Sequence, residues 1–182
     1  ADILGPENIL LLNLPSRYNS TTTQDLAYSL AKALGANYAV LPIQQSYEHT
    51  VAQLSTTAMT NLGSGKEFYL ELSGLVKENI QARDRGARLI AAASAAFGGA
   101  FSCNSNKAEL AVGYATFYGD IAGAIAIIGD LWKHQVYALG RYMNEAVFKR
   151  EVIPEAIFTI RPSAELSDAQ TVGKGGAPLV YT

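Results

Sequence analysis

The sequence predicts an α/β fold: a parallel sheet with helices on both faces. Apolar runs of strand length alternate with segments whose apolar residues recur every three or four positions. Each candidate strand is an unbroken apolar run, the pattern of strands covered on both sides. No internal repeat of fixed period and no low-complexity tract competes with this order.

Taken in order, Ala1 to Asn8 reads as the last turn of a helix. Gly5 suits the left-handed position after a helix, and Pro6 blocks continuation. This start leads us to expect upstream sequence, a strand and most of its helix. Ile9 to Leu14 has the length of a buried strand. After the polar loop Pro15 to Ser20, Leu26, Leu30 and Leu34 mark a helix from about Thr22 to Leu34, closed by Gly35. A second strand is expected over Tyr38 to Ile43 and a helix over Tyr47 to Met59, followed by a flexible break at Asn61 to Lys66. A long helix covers about Leu72 to Ala96, stopped by Gly98-Gly99, and Ala100 to Cys103 forms a short strand. The next helix spans about Lys107 to Val112, and a Gly- and Tyr-rich loop runs to Gly123. The last long helix, about Asp130 to Phe148, has Val136, Leu139 and Met143 on one face.

The 182 residues fit a single domain able to bury a sizeable core without staples. Apolar residues at 49% exclude a disordered chain. Fourteen basic against sixteen acidic side chains, with a pI near 5.7, argue against a nucleic-acid binder. One cysteine excludes an internal disulfide framework and suits a cytoplasmic protein. No apolar run reaches the roughly 20 residues of a membrane span, and the first residues do not read as a signal peptide.

In an open parallel sheet, ligands bind at the carboxyl ends of the strands. Three loops occupy those ends: Pro15–Ser20, Pro42–Ser46 and Asn104–Asn106. The third leads straight into a helix, whose free backbone N–H groups suit a phosphate. Asn106-Lys107-Ala108-Glu109 has the spacing of a capping box, so the local reading of Glu109 favours a helix cap over a metal ligand. Lys133 and His134 fall in the first turn of the last helix, where a cation opposes the helix dipole unless an anion offsets it. His49 and His134 lack partners at metal-ligand spacing, Cys103 reads as a packing residue, and no nucleophilic triad is visible. Gly173-Lys174-Gly175-Gly176 lacks the spacing of a phosphate-binding loop and reads as plain loop.

Four motifs in the same order are more specific. Glu78-Asn79-Ile80-Gln81-Ala82-Arg83, Asn106 to Tyr114, Tyr118-Gly119-Asp120, and Val152-Ile153-Pro154 followed by Pro162-Ser163-Ala164-Glu165-Leu166 closely resemble NAD synthetase. The similarity runs from Gly5 to Tyr181, in the style of the glutamine-dependent enzymes, which carry an upstream glutaminase domain. The resemblance implies a Rossmann-like nucleotide-binding fold of the ATP-pyrophosphatase group. It also implies ATP-dependent amidation of deamido-NAD to NAD through an adenylated nicotinate, with Mg2+ and with ammonia or glutamine as nitrogen donor. Implied site residues are Glu109 as a magnesium and substrate carboxylate, and Lys133 as an ATP-contacting, charge-stabilising lysine. Ser163 is a further ATP contact, as is Asn104, where relatives often carry Thr. Asn79, Arg83, Tyr114, Ala115, Thr116 and Phe117 match the deamido-NAD region, and Tyr114 and Tyr118 are alternative stacking partners for nicotinate. A homo-oligomer is implied as well.

The family's phosphate loop, Ser-Gly-Gly-x-Asp-Ser, has no copy between Ala1 and Thr182. Residues 1–182 are therefore expected to be part of a synthetase domain without its first strand and phosphate loop, and inactive alone. The competing readings are another ATP pyrophosphatase, acting on a purine nucleotide or tRNA, and a non-catalytic adenine-nucleotide-binding module.

Overall fold

The computed structural model describes residue 1 and residues 3–170. Its centre is a parallel pair, β1 (Leu10–Asn13) and β2 (Asn37–Val40), in register from Leu10 opposite Asn37 to Asn13 opposite Val40. The crossover is α1 (Thr21–Leu34). Ser20 starts it by accepting the Thr23 N–H at 3.2 Å, and Gly35, at φ 67°, ends it. This is a βαβ unit, as the alternation of periods required, and the α/β class follows from it. β2 is shorter than expected: Pro42 has no N–H to donate, so the ladder stops at Val40. The chain still runs beside β1, because Leu41 N donates to Asn13 O (2.8 Å) and Ile43 N to Pro15 O (2.9 Å). The three leucines of β1 are half-buried rather than enclosed, since β1 has one strand neighbour among the described residues.

Beyond β2, α2 (Gln44–Thr56) begins three residues before its expected start. The break at 61–66 is the turn of a small hairpin, β3 (Met59–Thr60) against β4 (Glu67–Phe68). Asn61 Oδ1 holds it by accepting the N–H groups of Gly63 and Ser64, both at 3.0 Å. The long helix is α3 (Gly74–Arg83), a π-helical stretch Asp84–Ile90, and α4 (Ala91–Ala96). Ala100 to Cys103 makes a single parallel bridge, Ser102 to Ile125, instead of a strand. There the two backbones nearly touch: a Cβ on Gly123 would stand 2.7 Å from the carbonyl carbon of Ser102.

The remaining helices are α5 (Lys107–Val112), as expected, α6 (Lys133–Tyr142), and α7 (Glu155–Thr159), which the periodicity did not reveal. A second π-helical stretch, Met143–Phe148, extends α6 to the end expected for the last helix. At the amino end, Gly5 N donates to Ala1 O at 2.8 Å and Gly5 sits at φ 80°, as at a helix terminus, while Pro6–Asn8 winds as a 3-10 turn. Buried apolar side chains gather at the carboxyl ends of β1 and β2, where Leu14, Tyr18, Ile43 and Tyr47 lie. That is the edge where an open parallel sheet places its ligands. Among the described residues no helix is long and apolar enough to cross a membrane. The glycine-rich stretch 173–176 lies outside the described residues.

Candidate functional site

The residues expected to matter fall into three groups, and hydrogen bonds tie each group together. The first joins α3 to the loop after α5. Thr116 Oγ1 donates to Asn79 Oδ1 at 2.7 Å, and Arg83 Nε donates to the carbonyl of Phe117 at 3.3 Å. A backbone contact sets the distance between loop and helix. A Cβ on Gly119 would lie 2.9 Å from that of Ala82, and one on Gly86 would overlap the carbonyl oxygen of Gly119. Only residues without side chains let the two backbones approach so closely. Asn79, Arg83, Thr116 and Phe117, four of the six candidates for the deamido-NAD region, are thereby assembled on one side. Tyr114 is reached by Gln170 Nε2 at 3.4 Å. Tyr118 is 75% exposed and adopts a left-handed φ of 61°.

The second group is built on two helix starts. Asn106 Oδ1 accepts from the N–H of Ala108 (2.9 Å) and Glu109 (3.3 Å), and Glu109 Oε2 accepts from Asn106 N at 2.9 Å. The capping box read from the sequence is present. Its second oxygen takes no hydrogen bond among the described residues. The start of α6 packs alongside: Lys107 N donates to Leu131 O at 2.9 Å, and the Lys107 ammonium lies 5.2 Å from the centre of the Trp132 ring. Lys133 is the first residue of α6, half-buried and without an ion-pair partner among the described residues. One turn further on, Tyr137 is pushed up from the usual phenol range by burial and then by the charge of Glu109. Asn104 is exposed and accepts from Ser102 Oγ at 2.9 Å.

Asp120 links these two groups. Its Oδ1 accepts from Thr116 N at 2.8 Å, and its carbonyl accepts from Ser105 Oγ at 3.3 Å, one residue before the cap of α5. Among the described residues no set of three or more His, Cys, Asp or Glu side chains is placed to hold a metal ion. A magnesium ion bound mainly through substrate phosphates needs only one or two protein carboxylates, and the uncommitted oxygen of Glu109 fits that role.

The third group surrounds the carboxyl end of β1, where the loop Pro15–Ser20 and Ser163 were expected to matter; the cluster of Arg85, Asn19 and Glu165 that holds it was not foreseen from the sequence. Arg85, from the π-helical stretch, donates through Nε to Leu14 O (2.8 Å) and through Nη2 to Asn19 Oδ1 (3.2 Å). Burial lowers its affinity for a proton, against the raising charges of Asp84 and Glu165. Asn19 Nδ2 in turn donates to Glu165 Oε2 at 3.1 Å. Ser163, two residues before Glu165, is half-buried, and its hydroxyl has no partner among the described residues. Nearby, the Arg17 guanidinium stacks 4.8 Å from the Tyr18 ring centre, and its backbone N–H donates to Gln44 Oε1 at 3.0 Å. No hydrogen bond joins Ser163 to Glu109 or Lys133.

Comparisons with known proteins agree in direction. The sequence model of the family described as NAD synthase matches residues 1–175. The chain is 39% identical over 170 residues to a glutamine-dependent NAD(+) synthetase of Xanthomonas campestris pv. campestris, covering 93% of this chain and 29% of that protein. It is 38% identical to the Thermotoga maritima enzyme of the same name, covering 27% of it. The chain therefore spans less than a third of the length of these relatives. Among solved structures, a glutamine-dependent NAD+ synthetase from Acinetobacter baumannii, in complex with ADP, superposes with a TM-score of 0.71 at 28% identity, over 92% of this chain and 30% of that one. An NMN synthetase from Francisella tularensis superposes with a TM-score of 0.70 at 28% identity, over 89% of this chain and 58% of that one.

Proposed function

The chain belongs to the NAD synthase family, and from that premise we propose that it serves the ATP-dependent amidation of deamido-NAD to NAD. The observation that supports this most is the hydrogen-bonded path from Asn79 through Thr116 and Asp120 to the start of α5. It ties the candidate dinucleotide residues to the turn that carries Glu109, beside the helix that begins with Lys133.

The chemistry requires such a link. A nicotinate carboxylate is a poor electrophile at neutral pH. Attack on the α-phosphate of ATP releases pyrophosphate and leaves an acyl adenylate, from which ammonia displaces AMP. Two anionic reactants must be held together, and their positioning supplies much of the rate. In this reading, Asn79, Arg83 and the 114–117 segment hold the dinucleotide. Lys133 stabilises the charge that develops on the leaving pyrophosphate. Asn104 and Ser163 contact ATP. Magnesium, when bound, neutralises phosphate charge, with Glu109 as its protein carboxylate. A glutaminase domain elsewhere in the protein or free ammonia supplies the nitrogen. Residues 1–182 form part of the synthetase domain of a cytoplasmic homo-oligomer.

The test uses the natural protein that carries this chain, with ATP, Mg2+, deamido-NAD and either glutamine or ammonia. NAD, AMP and pyrophosphate are expected in equal amounts. Absence of NAD, with AMP formed only when nicotinate mononucleotide replaces deamido-NAD, would assign the mononucleotide as acceptor, the reaction that the name of the Francisella relative suggests.

A further inference from the structure

Glu165 is 4% exposed and lies at a left-handed φ of 50°, a conformation that non-glycine residues hold only when their surroundings fix it. Its carboxylate accepts three hydrogen bonds, from Asn19 Nδ2 (3.1 Å), Ser20 N (3.3 Å) and Thr23 Oγ1 (2.9 Å). All three donors belong to the loop at the carboxyl end of β1 or to the first turn of α1, where the helix dipole also favours a negative charge. The side chain of Asn19 is used on both ends, since its Oδ1 accepts from Arg85 Nη2 and from Ser16 N at 2.8 Å. On the other side of Glu165, Leu166 O accepts from Nε2 of the buried Gln81 at 2.8 Å, and Gln170 Nε2 donates to Glu78 at 3.2 Å. The segment 163–170 is thus a strap fastened at α1 and at α3, with Ser163 at its head.

We propose that Glu165 is the positioning residue that sets Ser163 for ATP, by locking the strap to the β1 loop. The proposal rests on the synthetase reading given above. Glu165 is buried, with its carboxylate taken up by these three donors. It fixes the backbone two residues after Ser163, and the strained φ shows that the three bonds, not local preference, determine that backbone. A merely structural role would lower the melting temperature and leave the affinities of the folded enzyme unchanged.

The experiment is a double-mutant cycle on the intact enzyme, with steady-state kinetics below the melting temperature of each variant. Glu165→Ala should raise KM for ATP roughly tenfold while changing kcat and KM for deamido-NAD less than about threefold. Glu165→Gln, which keeps an acceptor for Asn19 and Thr23, should recover most of that loss. Ser163→Ala alone should also raise KM for ATP. In the Ser163→Ala background, Glu165→Ala should add less than about twofold, because the two act through one contact. Additive effects, or an unchanged KM for ATP in folded Glu165→Ala, would overturn the proposal. If Glu165→Ala does not fold, Thr23→Val takes its place in the same cycle: an ATP-specific rise that is non-additive with Ser163→Ala supports the proposal, and any other result overturns it. If Ser163→Ala itself leaves KM for ATP unchanged, the proposal falls, because Ser163 is then no ATP contact. If the wild-type enzyme forms no NAD from ATP and deamido-NAD, the synthetase reading fails first and the two failures are told apart.

Discussion

Glu109 commits one carboxylate oxygen to the cap of α5 and leaves the other without a hydrogen bond among the described residues, so the cap and the proposed metal role can be separated by substitution. Glu109→Gln keeps an oxygen able to accept the Asn106 N–H, and should cost less than the roughly 1 kcal/mol of a lost cap. Adenylation, followed as pyrophosphate release, should fall about a hundredfold or more if the charge is needed, the scale seen when one electrostatic group is removed from an active site. Lys133 has the opposite character. As the first residue of α6 it opposes the helix dipole, so Lys133→Ala should leave the nucleotide-free protein as stable or slightly more stable. ATP titration calorimetry should show affinity reduced by about tenfold, for a lost charge-assisted contact of about 1.4 kcal/mol. The sequence disclosed both positions because caps and first turns are set by neighbours three or four residues away. It did not disclose the Arg85–Asn19–Glu165 cluster. Asn19 is 66 residues from Arg85 and 146 from Glu165, and no local spacing encodes such partners.

At the scale of elements, the long helix was legible in extent but not in winding. Ser73 and the Gly98-Gly99 pair mark its ends, yet nothing in the periodicity announces that Asp84–Ile90 widens into a π-helix. The widened stretch puts Arg85 on the end of β1 and Gly86 against Gly119. Gly86→Ala should therefore cost about 1–3 kcal/mol in urea unfolding, the range for overpacking a filled site, although alanine is the better helix former. In the same stretch, burial would raise the Asp84 carboxyl, but hydrogen bonds from Arg88 and Ser46 and the charges of Arg88 and Arg85 outweigh it and hold it below the usual range. A depressed folded-state value means stabilisation that is present above the ordinary carboxylate pKa of about 4 and is lost as pH falls through the lower folded value. Melting temperatures measured between pH 6 and about 2 should accordingly fall more steeply for wild type than for Asp84→Asn. The strand expected at 100–103 was overread for a related reason: apolar runs reveal a capacity to pair, and among the described residues this one meets only the short stretch Ala124–Ile125.

For the whole molecule, the surface is as informative as the core. Val112, Phe117, Ile125 and Ile127 are 59%, 72%, 61% and 71% exposed, apolar side chains that association between copies would cover. Sedimentation velocity of the purified chain should show a weight-average coefficient that rises with protein concentration, and a constant monomer value would contradict this. The contacts that close the strap add a kinetic consequence. Ser20 N donates to a carboxylate 145 residues away, so this bond closes one of the longest loops available to the chain. Closure entropy delays such contacts until the βαβ unit and the long helix have formed. The strap should be the last part to assemble and the first to open, and exchange of the Ser20 amide proton should report that opening separately from global unfolding. A clasp of this kind also works as a checkpoint: a nascent chain can seat the segment after Ser163 on the β1 loop only once all of the sequence between Ser20 and Glu165 has been made.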